Sequence, residues 1–287
     1  MSKKIAFLLD TGSSFKLFDH ENCYICPINI CIEQNNKEIV YQEDIDINRN
    51  EIYSLIDNNV NIKTSQPTLG KIMELMNDIV KKYDLIIAIP FSKHLSNTYN
   101  TIVSCAKQIN KNKIIVLDSH PMSITGNWLM NDIINLNNSG VDINQKSLDK
   151  LAKKYRENQC GVVIVNDLKQ LIAGGRLTGI KGLLAKALKL KLSIMYMGDL
   201  KLCAKDLSLE GAINKSIDEI NKKIHFSKNG IKRVVIFPDL KDDNDNQKYS
   251  NYLINKLKYK NVEYALLPTS VAVHTGTNTF SFIIESN

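Results

Sequence analysis

Apolar residues recur along this chain in two alternating rhythms. Short continuous runs, Lys4 to Leu9, Asp84 to Ile89 and Lys113 to Leu117, each stop at a polar loop. Runs of that length bounded by turn residues predict strands buried on both faces. Between them, Thr68 to Tyr83 carries Leu69, Ile72, Met73, Leu75, Met76, Ile79 and Val80 at helical spacing, and a second helix is expected after Tyr99 through about Ile109. Strand, polar loop, helix is the rhythm of a parallel sheet, so the first part of the chain reads as a Rossmann-like α/β domain. In such open sheets ligands collect beyond the carboxyl ends of the strands, which places the loops at Asp10, Ser92 and Asp118 on one edge.

The second half keeps the alternation but changes the connections. An Asn-rich turn near Asn135 to Asn144 precedes a helix from about Ser147 to Glu157, and Cys160-Gly161 opens a second unit. The boundary expected there divides the chain into an N-terminal parallel-sheet domain, 1–159, and a C-terminal α/β domain, 160–287, with a mixed or antiparallel sheet. Val162 to Val165 reads as a strand, and Asp167 to Ala173 as a helix closed by Gly174-Gly175. Leu177 to Leu190 reads as a helix whose Leu177, Ile180, Leu183, Leu184, Ala187 and Leu188 form a broad apolar face. Leu192 to Met197, a Gly198-Asp199 turn and Leu200 to Ala204 suit an antiparallel hairpin. Helices near Leu209 to His225 and Asn246 to Lys258 then alternate with strands at Arg233 to Phe237 and Val262 to Leu267, before a last apolar strand within Val271 to Ile284.

Composition narrows the class without naming a function. With 287 residues, 44% hydrophobic and 23% charged, the chain has enough material for two domains with real cores. No stretch approaches the roughly 18 uninterrupted apolar residues of an integral span. The run Ile5 to Leu9 ends at Asp10, short of a signal-peptide core, and no small-residue cleavage site follows, so the expected location is the cytoplasm. The formal charge of +7 is spread over single lysines, with one modest group at Lys186, Lys189 and Lys191. Few aromatics interleave these residues, which predicts a solvated surface and no nucleic-acid partner. Six cysteines include Cys23-Tyr24-Ile25-Cys26, the spacing of half a zinc site. No second pair follows, and in an extended segment from Cys23 to Ile32 residues three apart point to opposite faces. No metal site is expected, and all six read as free thiols, mostly buried.

The candidate chemistry gathers at Ile62-Lys63-Thr64-Ser65-Gln66-Pro67-Thr68. Pro67 suits a first helical turn, which predicts Thr64 and Ser65 at a helix N-terminus. Free amides, the positive end of the dipole and two hydroxyls would together hold a phosphate or carboxylate. Helix capping is the plainer role for the same residues.

Taken together, Asp10-Thr11-Gly12-Ser13, Thr64-Ser65-Gln66-Pro67, Ser92 to Tyr99, Asp118-Ser119, Gly174-Gly175-Arg176 and His274-Thr275-Gly276 resemble the DegV family of fatty-acid-binding proteins. They occur in the family's order and along nearly the whole chain. The resemblance implies a two-domain α/β protein that buries one long-chain fatty acid between its domains. It further implies that, in bacteria with the matching ATP-dependent fatty acid kinase, the bound carboxyl group is presented to that separate protein for conversion to acyl phosphate. Carried over residue by residue, Thr64, Ser65 and Ser92 would hold the carboxylate, and Arg176 and His274 would lie beside it. Such a protein is a lipid binder without catalytic residues, metal or cofactor, its only ligand the fatty acid, with room for transient membrane contact. The chain departs from the family's pattern at Asn97, Thr125, Ser193, Thr277 and Asn278.

The residue types are compatible with that implication. Hydroxyls and amides supply donors to a half-buried carboxylate with little charge to desolvate, and a nearby arginine keeps the acid ionised. Two other readings stay open. A serine hydrolase-like enzyme would use Ser92, His274 and Asp118, although Pro90-Phe91-Ser92-Lys93-His94 lacks the glycines of a nucleophile elbow. A binder of another small anion would use the same helix terminus, although no phosphate-binding glycine loop is present.

Overall fold

The computed structural model describes residues 3–13, 21–34, 37–166, 168–176 and 190–287. The chain divides into two compact units, one of residues 1–49 and 64–156, the other of 50–63 and 157–287.

In the first unit, β1 (Ile5–Asp10) and β2 (Cys23–Cys26) are followed by β3 (Asn29–Gln34) and β4 (Lys37–Gln42). The chain passes through α1 (Arg49–Asp57), most of which belongs to the second unit, and returns along β5 (Ile62–Ser65). Then come α2 (Leu69–Val80), β6 (Leu85–Ile89), α3 (Thr98–Ile109), β7 (Ile114–Val116), α4 (Ile124–Asn138) and α5 (Gln145–Asn158). Strands β2-β1-β6-β7 form a four-stranded parallel sheet in that order. Every residue of β1 and β6 is buried, as expected of parallel strands covered on both faces. Ala6, Leu8, Ile86 and Ala88 pack against Ile72, Met76 and Ile79 of α2 and Ile102, Cys105 and Ala106 of α3. A second sheet of three strands has the order β4-β3-β5.

The second unit begins with β8 (Gln159–Val165), α6 (Lys169–Ala173), β9 (Lys191–Tyr196), β10 (Leu200–Asp206), α7 (Leu209–Ile224) and α8 (Phe226–Asn229). It continues with β11 (Ile231–Asp239), α9 (Asp243–Leu257), β12 (Val262–Tyr264), α10 (Thr269–Thr275) and β13 (Thr279–Ser286). Six strands run in the order β10-β9-β8-β13-β11-β12. Only β11 and β12 are parallel, so the sheet is mixed. Phe280, Phe282, Ile284, Val162, Ile164, Val234 and Ile236 meet Ala212, Ile213 and Ile220 of α7 and Leu253 of α9 in one core. The expected hairpin is β9–β10, turning at Gly198 with φ 99°.

Several elements differ from the pattern reading. The expected Asn-rich turn begins inside α4, which carries five asparagines and Gly126 yet holds residues 125–130 fully in the interior. Burial there overrides weak helix propensity. The extended Cys23 to Ile32 segment is two strands of different sheets, separated by Pro27-Ile28. Among the described residues no group of three or more His, Cys, Asp or Glu is placed to hold a metal ion. All six cysteines are free, and burial pushes Cys26 and Cys160 up to about 12. The expected Leu177 to Leu190 helix, Lys186 and Lys189 lie outside the described residues, Leu190 excepted. Among the described residues no helix is long and apolar enough to cross a membrane.

Candidate ligand-binding site

In the first unit the candidate residues lie on loops that leave the carboxyl edge of the parallel sheet, after β1, β6 and β7. Asp10 ends β1 and is completely buried. Its carboxylate accepts from the Ser13 amide at 2.8 Å and, from the loop after β6, from the Phe91 amide at 2.8 Å. Burial raises the Asp10 pKa to about 6, partly offset by those amide bonds and the Ser13 side chain, with the charge of Glu43 adding to the rise.

Ser92 follows Phe91 and is 2% exposed. Its carbonyl accepts from the Leu95 and Ser96 amides, both at 3.0 Å, and its hydroxyl accepts from the His94 amide at 3.3 Å. This turn feeds α3, where the Ser96 and Thr98 hydroxyls are 2.9 Å apart. After β7, Asp118 pairs with Lys93 at 2.8 Å, with His120 at 3.2 Å and with Arg156 at 3.9 Å. Burial alone would raise Asp118, but the Lys93 bond and the charges of His120, Lys93 and Arg156 outweigh it and hold its pKa below the ordinary value. His94 and His120 pack edge to face at 5.6 Å, and the Lys93 ammonium lies 5.8 Å from the centre of the Tyr99 ring.

Thr64 and Ser65 do not sit at a helix N-terminus. They end β5, with Thr64 half-buried and Ser65 exposed, and three residues separate them from α2. The cap of α2 is Thr68, in extended geometry at φ −65°, ψ 147°, whose hydroxyl accepts from the Lys71 amide at 3.4 Å. The reason is local: a residue before proline is driven out of the helical region, so Gln66 stays extended and the helix starts after Pro67. A different contact joins this segment to the site. Gln66 Oε1 accepts from the Thr101 hydroxyl of α3 at 2.8 Å, while Asn29 of β3 donates to the Gln66 carbonyl at 2.9 Å and to the Ser65 hydroxyl at 3.3 Å. Nothing local in the sequence singles out Asn29 or Thr101, because a single polar residue in a strand or helix carries no signal of what it will meet.

In the second unit the structure brings Arg176 and His274 together. Helix α6 ends at Gly174, and Gly175 at φ 69° turns the chain so that Arg176 reaches back and donates through Nη1 to the Gly174 carbonyl at 2.6 Å. His274 lies near the end of α10, and its ring covers Gly174 so closely that a Cβ there would come within 2.2 Å of Nδ1. Burial, with the Arg176 charge adding to it, drives the His274 pKa down to about 3, and burial also lowers that of Arg176. The pair therefore offers one cation and one neutral imidazole at physiological pH. Beyond it, Asn278 takes the left-handed conformation at φ 62°, accepting from the Lys241 amide at 3.0 Å, and the Thr277 hydroxyl donates to Asp57 at 2.6 Å.

Comparison with known proteins covers the same ground. From residue 4 to residue 287 the chain matches the model of a family described as "Uncharacterised protein, DegV family". A DegV domain-containing protein of Ureaplasma parvum is 32% identical over 213 residues, 74% of this chain and 97% of that protein. A second, from Mycoplasma genitalium, is 29% identical over 293 residues, 97% of each. Among solved structures, a fatty acid binding DegV family protein from Streptococcus agalactiae superposes with a TM-score of 0.84 at 19% identity, covering 99% of both chains. DegV, a fatty acid binding protein from Bacillus subtilis, gives a TM-score of 0.80 at 19% identity over 100% of both. At those identities the likeness establishes the fold; the family rests on the sequence match, which spans both units and all the motif segments that first suggested it, and the chain belongs to the DegV family.

Proposed function

We propose that this protein binds a long-chain fatty acid without covalent attachment, with Thr64, Ser65 and Ser92 as carboxylate ligands and Arg176 and His274 as further ligand-binding residues. The observation that carries the reading is the likeness along the whole chain to DegV proteins described as fatty acid binding. The chemistry of the residues supports it. Ser92 presents a hydroxyl from a buried turn, and Arg176 supplies a positive charge next to an imidazole that stays neutral. Hydroxyls bind a carboxylate with little desolvation cost, and one arginine keeps it ionised. Affinity comes from the tail, at roughly 0.8 kcal/mol per buried methylene, so a chain of about fifteen methylenes supplies on the order of 10 kcal/mol before the costs of association.

The same reading makes the protein a carrier that presents its acid to a separate ATP-dependent kinase in the bacterial cytoplasm. Organic extraction of purified protein followed by mass spectrometry should yield stoichiometric fatty acid, and offered palmitate or oleate should raise the melting temperature. Several preparations with no acid and no thermal shift would rule the lipid reading out. The protein alone should neither cleave acyl esters nor turn over ATP, and acyl phosphate should form only when the kinase is added. Sustained esterase activity lost in Ser92→Ala would instead establish a hydrolase.

A further inference from the structure

The turn that carries Ser92 is held from outside by a carboxylate that no bound-ligand role accounts for. Asp10 is 0% exposed, and its two oxygens bridge two loops, one accepting from the Ser13 amide and the other from the Phe91 amide, both at 2.8 Å. The side chain of Phe91 is held by the same loop, since a Cβ on Gly12 would lie 3.2 Å from its ring. Backbone and ring of the residue before Ser92 are thus both set by Asp10 to Ser13.

That loop is itself anchored. The Asp10 amide donates to Ser13 Oγ at 3.0 Å, the Ser123 amide donates to the Gly12 carbonyl at 2.9 Å, and Thr11 Oγ1 accepts from the Ile28 amide at 3.0 Å while donating to Glu43. Helix α4 presses so close that a Cβ on Gly126 would sit 1.8 Å from the Ser13 carbonyl. Burying a carboxylate beside a second buried one is costly, and a neutral side chain would serve for packing alone. What the carboxylate adds is two strong acceptors of fixed direction, one for each loop.

We propose that Asp10 is a positioning residue for the head-group site: by fixing the Phe91 amide it sets the orientation of the Ser92 hydroxyl toward the ligand carboxylate. This rests on the fatty-acid reading above. Such a role acts on the head group and leaves the tail alone, so its signature is the preference for an acid over the alcohol of equal chain length. Displacement of a fluorescent fatty acid by palmitate and by hexadecanol measures that preference in the wild type, Asp10→Asn and Ser13→Ala. Asp10→Asn should reduce the preference by about ten-fold, the loss expected when one bond to a charged group is misdirected, with hexadecanol affinity unchanged. Ser13→Ala, which loosens the clamp from its other end, should reduce it less, and it decides the matter where Asp10→Asn fails to fold. Equal losses for acid and alcohol, or an unchanged preference in the folded variants, overturns the inference. A wild type that binds neither compound, or does not prefer the acid, overturns the fatty-acid reading and the inference with it.

Discussion

A carboxyl group without solvent access must be either ionised and well bonded or neutral, and Asp10 is balanced between these states near neutral pH. Its folded pKa of about 6 lies above the ordinary 3.8, so the folded chain holds a proton that the unfolded chain has already released. The stabilisation linked to that proton is fully present below the unfolded value and is lost as pH rises through the folded one, by about 3 kcal/mol in total. Urea titrations from pH 4 to pH 7 should therefore show the wild type losing stability relative to Asp10→Asn, and parallel profiles would contradict the assignment. The contact between Gly174 and His274 gives a second test. A methyl group at Gly174 would meet Nδ1 at 2.2 Å, so Gly174→Ala should cost about 1–3 kcal/mol by overpacking. Removing the ring as well, in Gly174→Ala with His274→Ala, should show strong coupling in thermal melts, the second change costing less in the variant than in the wild type.

Among the elements, capping falls to Thr68 of α2, whereas the proposed ligand hydroxyls of Thr64 and Ser65 end β5. The Thr68 hydroxyl caps α2, so Thr68→Ala should lower stability by about 1 kcal/mol while leaving fatty-acid affinity of the folded protein unchanged. Calorimetry alongside binding distinguishes the roles, and a loss of affinity without loss of stability would return the ligand site to the helix start. Helix α4 makes the opposite point. The asparagines Asn135, Asn137 and Asn138 read as the start of a turn, yet they continue a helix whose earlier part buries Trp128, Leu129, Met130 and Ile133, and that burial outweighs weak propensity. Gly126 is the position at which that helix meets a neighbouring backbone, the Ser13 carbonyl. No side-chain deletion relieves such a contact, which distinguishes it from Gly174.

For the whole molecule, the proposed division between head group and tail predicts how binding fails. Thr64→Val and Ser92→Ala should each weaken fatty-acid binding by about ten-fold or more, since each removes a hydrogen bond to a charged group worth roughly 1.5–3 kcal/mol. The tail contribution persists, so equilibrium titration with a fluorescent fatty acid should still detect binding in both. Wild-type affinity in both would place the head group at other strand ends. The His274 imidazole, with its pKa at about 3, should contribute no titration step to ligand binding between pH 5 and pH 8.

Much of this architecture was legible in the chain because it is written locally. Continuous apolar runs at Ile5–Asp10 and Leu85–Ile89 identify buried strands, helical spacing identifies α2, and Gly175 and Gly276 stand where φ is 69° and 80°. From strands alternating with helices followed the parallel sheet of the first unit and the shared edge of its loops. What the sequence alone could not decide depends on residues far apart in it. The bond from the Phe91 amide to Asp10 spans 81 positions, and that from Thr101 to Gln66 spans 35. The place of β13 between β8 and β11, the membership of residues 50–63 in the second unit, the raised pKa of Asp10 and the neutrality of His274 are of the same kind. Strand order, burial and pKa are properties of an environment assembled by distant segments. Local periodicity records which face of an element is buried, and only tertiary structure decides what lies against it.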